Sequence, residues 1–233
     1  AEILLTGASN VWRGVELRRM EVRTTVGDGV ARLEKCSIEF PRGALGASGS
    51  VNLGTGRGSF EYHSDADLSQ FASVAGGATA GLKEWKSEMP PKLWGEAEFG
   101  WKGNQPFFWK CRLEAGEFWL GQTAYRSLSL PWVTDGSKWM VQGFVIQGRS
   151  GSLEAQLSFD GKAELKGRIR SDLDLEGLAP WLGAGAKPFW ESLDLRSPPQ
   201  ITLQVTGAGL SMDLIRLAGR VEVKDLTYKT VEM

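Results

Sequence analysis

Few side chains in this sequence are suited to catalysis. His63 is the only histidine, and it falls on the outward phase of an alternating strand pattern, which favours an exposed polar residue over a general base. The sequence has no Gly-x-Ser-x-Gly elbow on which a serine nucleophile could be placed. We therefore expect no catalytic residue and no enzymatic activity.

Paired aspartates are the second set of residues that could do chemistry. They occur in Ser64-Asp65-Ala66-Asp67-Leu68 and again in Ser171-Asp172-Leu173-Asp174-Leu175. Two carboxylates this close could bind calcium or form an acid–base pair. The second aspartate of each pair, however, comes directly before a segment with helical spacing. Asp67 and Asp174 are therefore predicted to be helix N-caps, and we predict no metal site and no cofactor.

A glycine-rich stretch and two cysteines are the other features that could indicate a specific chemistry. The glycine-rich stretch at residues 54–59 has no Gly-Lys-Ser/Thr and no helix pattern after it, so a phosphate-binding loop is not expected. Cys36 and Cys111 are the only cysteines. They could form one disulfide in an oxidising compartment, or both could simply be small buried residues.

Composition excludes some classes of protein. The formal net charge is −1, whereas a nucleic-acid binder needs clustered lysine and arginine to neutralise phosphates. The sequence contains no apolar run of the roughly 20 residues that span a bilayer. It opens inside a strand pattern, so we expect it to be a piece of a longer protein. Its 30 glycines and 10 tryptophans are typical of a turn-rich β protein.

The strands and turns follow one another as in a meander. Apolar and polar residues alternate with a period of two over at least ten stretches, for example at Ile201-Leu203-Val205. The period changes to helical spacing at about residues 68–86 and again at about 175–193. An apolar sheet face must be covered. Either the sheet closes on itself as a sandwich or barrel, or it leaves an apolar groove.

The same order of patterns occurs twice. The Ser-Asp pairs lie 107 residues apart and the Pro-Pro pairs at 90–91 and 198–199 lie 108 apart. Aromatic-basic-small triplets begin at Trp12, Tyr125 and Tyr228, with offsets of 113 and 103. We predict the end of a preceding unit at 1–11, units at 12–124 and 125–227, and the start of a third unit at 228–233.

Large apolar and aromatic side chains on one strand phase are the remaining candidates for function. They could fill a core, line a lipid-binding surface, or form a platform on which carbohydrate stacks. The candidates for a lipid groove are Val51, Phe60, Phe99, Trp101, Trp109, Leu153, Leu157, Phe159, Leu165, Ile169, Leu203 and Val205.

Several degenerate motifs together resemble a known superfamily. They are the helical inserts opened by Asp67-Leu68-Ser69-Gln70-Phe71 and Asp174-Leu175-Glu176-Gly177-Leu178, the segments Gly43–Gly49 and Gly151–Ala155, the Pro-Pro returns and the aromatic-basic starts. In this combination the chain resembles the AsmA-like proteins of bacterial envelopes, which include the TamB and YhdP types.

The resemblance implies a fold, a function and a location. The fold would be mainly β: an elongated, curled antiparallel sheet forming an open groove or half-barrel of two repeated units with short helical inserts. The function would be lipid transport or outer-membrane biogenesis in the periplasm, with phospholipid or another envelope lipid as partner and no nucleic acid. Anchoring in the inner membrane would come from parts of the parent chain absent from this sequence. The alternative is a β-sandwich carbohydrate-binding or adhesion module.

Overall fold

The computed structural model describes residues 1–12, 15–67, 85–100, 107–161, 164–178, 193–195, 197–208, 214–224 and 226–228. These residues are almost entirely β-strand, as the alternating pattern predicted. The first strand is β1 (Glu2–Trp12), over the predicted end of a preceding unit. The first unit contains β2 (Val15–Gly27), β3 (Val30–Glu39), β4 (Ala44–Asn52), β5 (Arg57–Ser64), β6 (Trp85–Ser87), β7 (Lys92–Gly100), β8 (Phe108–Ala115) and β9 (Phe118–Leu120). The second contains β10 (Thr123–Thr134), β11 (Trp139–Gly148), β12 (Ser152–Asp160), β13 (Glu164–Ser171), the one-turn helix α1 (Leu175–Leu178), β14 (Leu193–Leu195), β15 (Gln200–Gly207), β16 (Ile215–Glu222) and β17 (Leu226–Tyr228).

One antiparallel sheet organises the described residues. Thirteen strands follow one another in the order β1-β2-β3-β4-β5-β7-β8-β10-β11-β12-β13-β15-β16. The short strand β9 also pairs with β10 and with β6, and β14 pairs with β17 in a separate two-stranded ribbon. The sheet is curled but not closed into a barrel, so the predicted fold class is confirmed. With strands about 4.8 Å apart, thirteen of them extend about 58 Å along the sheet.

The element order repeats with a nearly constant spacing. β2 starts at residue 15 and its counterpart β10 at 123, which is 108 residues later. The other seven pairs of strands, from β3 and β11 to β9 and β17, start 107 to 109 residues apart. The short ribbon repeats too, since β6 pairs with β9 as β14 pairs with β17.

The triplet alignment of Tyr228 differs from this strand equivalence. Tyr228 pairs with Leu193 in β14, as Leu120 pairs with Trp85 in β6, so Tyr228 corresponds to Leu120 and not to Tyr125. Its offset is 108, where the triplet alignment used 103. Three-residue patterns are too degenerate to fix a register, which apolar alternation along whole strands does fix. The unit boundaries stay a prediction.

The Ser-Asp motif forms a junction that is built twice with equivalent contacts to backbone groups. Asp172 Oδ1 accepts hydrogen bonds from the Ser152 backbone N–H at 2.6 Å and from its hydroxyl at 3.1 Å. Ser171 Oγ donates to the Ser152 carbonyl and accepts from the Leu173 N–H, both at 3.1 Å. Gly151, with φ +80°, completes the turn that faces Asp172. We call this group, Gly151, Ser152 and Ser171 to Leu173, the clasp.

The clasp of the first unit uses the equivalent residues. Asp65 Oδ1 accepts from the Ala44 N–H at 2.7 Å. Ser64 Oγ donates to the Ala44 carbonyl at 3.0 Å and accepts from the Ala66 N–H at 3.1 Å. Gly43 has φ +90°. The repeated Ser-Asp pair is therefore a structural motif that ties the end of one strand to the hairpin turn preceding its neighbour.

Candidate functional site

On one face of the sheet, a row of uncharged, mostly apolar residues crosses all thirteen main strands, and each strand contributes one residue to it. Residues paired directly across antiparallel strands point to the same side, so the pairing can be followed from strand to strand. We call the following set the apolar row: Leu5, Val22, Cys36, Ala47, Tyr62, Gly95, Cys111, Trp132, Val141, Leu157, Gly167, Val205 and Leu217. It has one member on each of the thirteen strands and contains no acidic or basic side chain.

A second row runs parallel to the first on the same side. Its residues are Ile3, Thr24, Leu33, Gly49, Phe60, Ala97, Trp109, Thr134, Trp139, Phe159, Leu165, Gly207 and Ile215. It also lacks charged residues. We call the side that carries both rows the apolar face and the other side, where residues such as Glu61, Lys110 and Arg168 alternate with them, the polar face.

The apolar face is only partly covered by the described residues. In the apolar row, Cys111 and Val205 are buried, whereas the other eleven residues keep partial or full exposure to solvent. Leu5 is 55% exposed and Leu217 is 58% exposed. Large apolar side chains aligned in this way across adjacent strands form an accessible surface that could take up an apolar ligand.

One end of the apolar face is a closed core. Ile146 and Leu173 are completely buried, and Leu153 and Ile201 are 9% exposed within the same cluster. Helix α1 joins this cluster through Leu178. Tyr125, 2% exposed, donates its hydroxyl to the Gly177 carbonyl at 2.7 Å and so fixes the helix against β10. A second, smaller core in the first unit contains Val15, Phe40 and Ala66, with Ile38 and Leu45 of the apolar face packed against it. These two cores supply folding stability, and among the described residues most of the rest of the face keeps partial exposure.

The structure brings the predicted groove residues together on the apolar face. All of them that lie among the described residues point to this side by register: Val51, Phe60, Phe99, Trp109, Leu153, Leu157, Phe159, Leu165, Ile169, Leu203 and Val205. Trp101 lies outside the described residues. Leu153, Leu165 and Val205 are buried, and the other eight are half-buried. Leu153 is a core residue, and Ile169 and Leu203 pack against that core.

Aromatic rings line the face at the end opposite the core. Phe60 stacks on Phe99 with ring centroids 5.2 Å apart, and Trp139 stacks on Phe159 at 5.7 Å. Trp109 lies on a strand between these two stacked pairs, and its ring centroid is 5.0 Å from that of Trp132. Aromatic rings bury large areas at low conformational cost, and Trp and Tyr combine an apolar body with a polar group. Such residues suit the border between an apolar surface and water.

Tyr62 and Trp109 form a polar contact within this aromatic border. The Trp109 indole N–H donates to the Tyr62 hydroxyl. Burial raises the pKa of Tyr62 to about 12 and also raises the pKa of the neighbouring Cys111 thiol. Both groups are therefore neutral at physiological pH, and the apolar row carries no charge there.

The raised pKa of Tyr62 leads to a prediction about alkaline stability. Below pH 10 the folded and unfolded chains both keep this proton. Between pH 10 and about 12 the unfolded chain releases it first, so the free energy of unfolding falls as the pH rises. Urea unfolding at a series of pH values measures this slope. The Tyr62→Phe variant removes the ionisable group, and it should show a shallower decline than the wild type over this range; an equal decline would contradict the assignment.

The structure shows where the polar residues considered in the sequence analysis lie and what they contact. His63 is exposed on the polar face. Asp174 Oδ1 accepts a hydrogen bond from the Gly177 N–H at 2.7 Å, the geometry of an N-cap. Asp67, 3% exposed, forms an ion pair with Arg42, and the segment that Asp67 would cap lies outside the described residues. Among those described, no group of three or more potential metal ligands occurs.

The two cysteines lie far apart on the apolar row. Both are free, and the pairing from β3 through β4, β5 and β7 to β8 separates Cys36 from Cys111 by four strand spacings. That is about 19 Å along the sheet, whereas a disulfide requires Cα atoms within about 7 Å. The fold does not bring these two thiols together.

Sequence reasoning missed two features of the site. It did not connect Gly151 with Asp172. The signal that could have shown this is that glycine stands at the equivalent position in the other unit, residue 43. Sequence reasoning also did not single out Trp94. The alternation in β7 places Leu93, Gly95 and Ala97 on the apolar face, so Trp94 lies on the polar face, where it is 38% exposed.

Comparison with known proteins gives no relative for this chain: no family model matches the sequence, and no curated protein or solved structure matches it significantly. Among the described residues, no helix has the length and apolar character required to cross a bilayer.

Proposed function

We propose that this protein is a non-enzymatic lipid carrier, on which acyl chains lie along the apolar face. The observation that supports the proposal is the apolar row, which continues across thirteen strands without a charged residue and in which eleven of the thirteen residues keep partial or full exposure among the described residues. A protein that used these side chains only to fill a core would cover them. Among the described residues, the two cores leave part of the face exposed to a ligand.

The dimensions of the face fit an extended hydrocarbon chain. The hydrocarbon core of a bilayer is about 30 Å thick, so one acyl layer is about 15 Å. That length corresponds to about three strand spacings, and the row of about 58 Å could hold several chains in succession. Each CH₂ group removed from water contributes about 0.8 kcal/mol. A chain could therefore move from strand to strand while staying out of water.

The resemblance to AsmA-like envelope proteins supports the same proposal. It adds a bacterial periplasm or cell envelope as the location, phospholipid or another envelope lipid as the cargo, and an inner-membrane anchor in other parts of the parent protein. The alternative of a closed β-sandwich does not describe this chain, since the sheet is open. We propose lipid passage towards the outer membrane as the role of the complete protein.

Lipid contact can be measured by quenching of tryptophan fluorescence. We expect vesicles of phosphatidylcholine with brominated acyl chains to quench the wild-type protein, because bromine acts only at short range. Trp132 lies in the apolar row, so Trp132→Phe should reduce the quenched fraction. The matched control is Trp94→Phe, which removes a tryptophan of the polar face and should leave the quenched fraction unreduced.

The same purified protein should be analysed for bound lipid. Mass spectrometry of an organic extract is expected to find phospholipid in stoichiometric amount. Folded protein that carries no lipid and shows no quenching by brominated vesicles would overturn the proposed function.

A further inference from the structure

A cleft lies mainly on the polar face, and four members of the apolar row also line it: Tyr62, Gly95, Cys111 and Trp132. Its volume is about 600 Å³, within the range of small-molecule sites. It extends over five adjacent strands, from β4 to β10, and nine of its thirteen lining residues have side chains on the polar face. The sheet thus offers a second concave site, mainly on the side away from the apolar row.

An exposed tryptophan forms the centre of this cleft. Trp94 is directly paired with His63 on β5 and with Arg112 on β8, so the three side chains lie in one row. Trp94 is 38% exposed, and the Arg112 guanidinium carbon is 6.0 Å from the centre of its ring. His63 lies over Gly46, where an added Cβ would be 2.3 Å from the imidazole. The glycine thus provides the space that the histidine occupies beside the indole.

Two carboxylates, Glu61 and Glu96, and two cations, Lys110 and Arg112, line the cleft. Lys110 binds Glu96 at 3.2 Å, and Arg112 binds Glu114 at 2.8 Å. Glu61 is directly opposite Glu96, and its carboxylate has no hydrogen-bond or ion-pair partner among the described residues. A phosphate or another anion would compete with carboxylates for both cations. The cleft is therefore better suited to an uncharged ligand with many hydrogen-bonding groups.

We propose that this cleft binds a neutral saccharide of a few rings. A pyranose ring has an apolar face of C–H groups, which can stack on the exposed indole of Trp94. Its hydroxyl groups can donate to the free carboxylate of Glu61 and can interact with the imidazole of His63 at the ring edge. The combination of one aromatic platform with a few polar groups around it gives both affinity and orientation.

The proposal is tested with neutral trisaccharides of glucose, galactose, mannose and N-acetylglucosamine, titrated into the protein and followed by NMR and calorimetry. At least one should bind, and Trp94→Ala should weaken that binding about tenfold or more, because loss of an aromatic stacking partner is worth about 1–3 kcal/mol in comparable nucleic-acid sites. Glu61→Gln should also weaken it. Met140→Ala is the matched control, since Met140 is 39% exposed on the polar face of β11 outside the cleft.

The salt dependence of binding separates a neutral ligand from an anion. Affinity for a neutral saccharide should change little between low and high salt, whereas an anion would lose affinity because its attraction to Lys110 and Arg112 is screened. The absence of binding to every trisaccharide, or binding that Trp94→Ala does not change, would overturn the proposal. Its failure is distinct from failure of lipid binding, because Leu157→Asp on the apolar face should leave saccharide binding intact.

Discussion

Replacement of Leu157 by aspartate is expected to weaken lipid binding strongly at the centre of the second unit. Leu157 belongs to the apolar row and is half-buried, and it is directly paired with Gly167. A Cβ added at Gly167 would lie 2.5 Å from Leu157 Cδ2, so the leucine side chain extends over the glycine. An aspartate there would place a carboxylate in the path of an acyl chain.

The cost of that carboxylate sets the expected size of the effect. Covering a charged aspartate with hydrocarbon costs about 2.5–3.5 kcal/mol by comparison with insertion into a bilayer. Binding that requires this position should therefore weaken on the order of 100-fold. Quenching by brominated phosphatidylcholine and the amount of co-purified lipid measure the change. Folding should be affected much less, because water reaches this part of the face before lipid binds.

Ser158→Asp is the control for the added charge. Ser158 is the next residue along β12 and is exposed on the polar face, so its aspartate changes the net charge equally without entering the apolar row. It should bind lipid as the wild type does. Ile169 is a poorer test site because it packs against the closed core. Equal lipid binding by Leu157→Asp and Ser158→Asp would falsify the placement of acyl chains on this face.

Much of the fold could be predicted because local alternation determines the faces of a meander. Once consecutive strands pair through short turns, a period-two pattern decides which side each residue takes. Leu157, Ile169 and Leu203 were therefore placed on one face from the sequence alone, and the pairing confirms that they share it. The same rule, applied to β7, would have separated Trp94 from Phe99.

Other features depend on contacts that a linear pattern does not contain. Whether a sheet closes is decided by its curvature and by what covers its apolar face. A closed sheet and an open one can have the same amino-acid composition, so composition does not distinguish them. The clasp joins Gly151 to Asp172 across a whole hairpin. The cleft around Trp94 requires the register of five strands at once. These features became visible only with the three-dimensional arrangement.

Replacement of Gly151 by alanine is expected to cause a large loss of stability, because the clasp leaves no room for a side chain. A Cβ at this position would lie 2.0 Å from the Asp172 carbonyl oxygen, a backbone atom that cannot move without breaking the clasp. The residue also has φ +80°, a conformation that residues with a side chain rarely adopt. Strain of this kind costs about 1–3 kcal/mol, and displacement of the Asp172 hydrogen bonds to Ser152 adds to it.

Urea unfolding followed by circular dichroism measures this prediction, and a matched glycine controls for the change in the unfolded chain. Gly116 lies between β8 and β9, has no positive φ, and has no atom within 4 Å of an added Cβ. Gly116→Ala should therefore be neutral or slightly stabilising. Gly43→Ala should behave like Gly151→Ala, since its Cβ would lie 2.1 Å from the Asp65 carbonyl oxygen. If both clasp variants were as stable as Gly116→Ala, the repeated Ser-Asp junction would not be what holds each strand end to its hairpin.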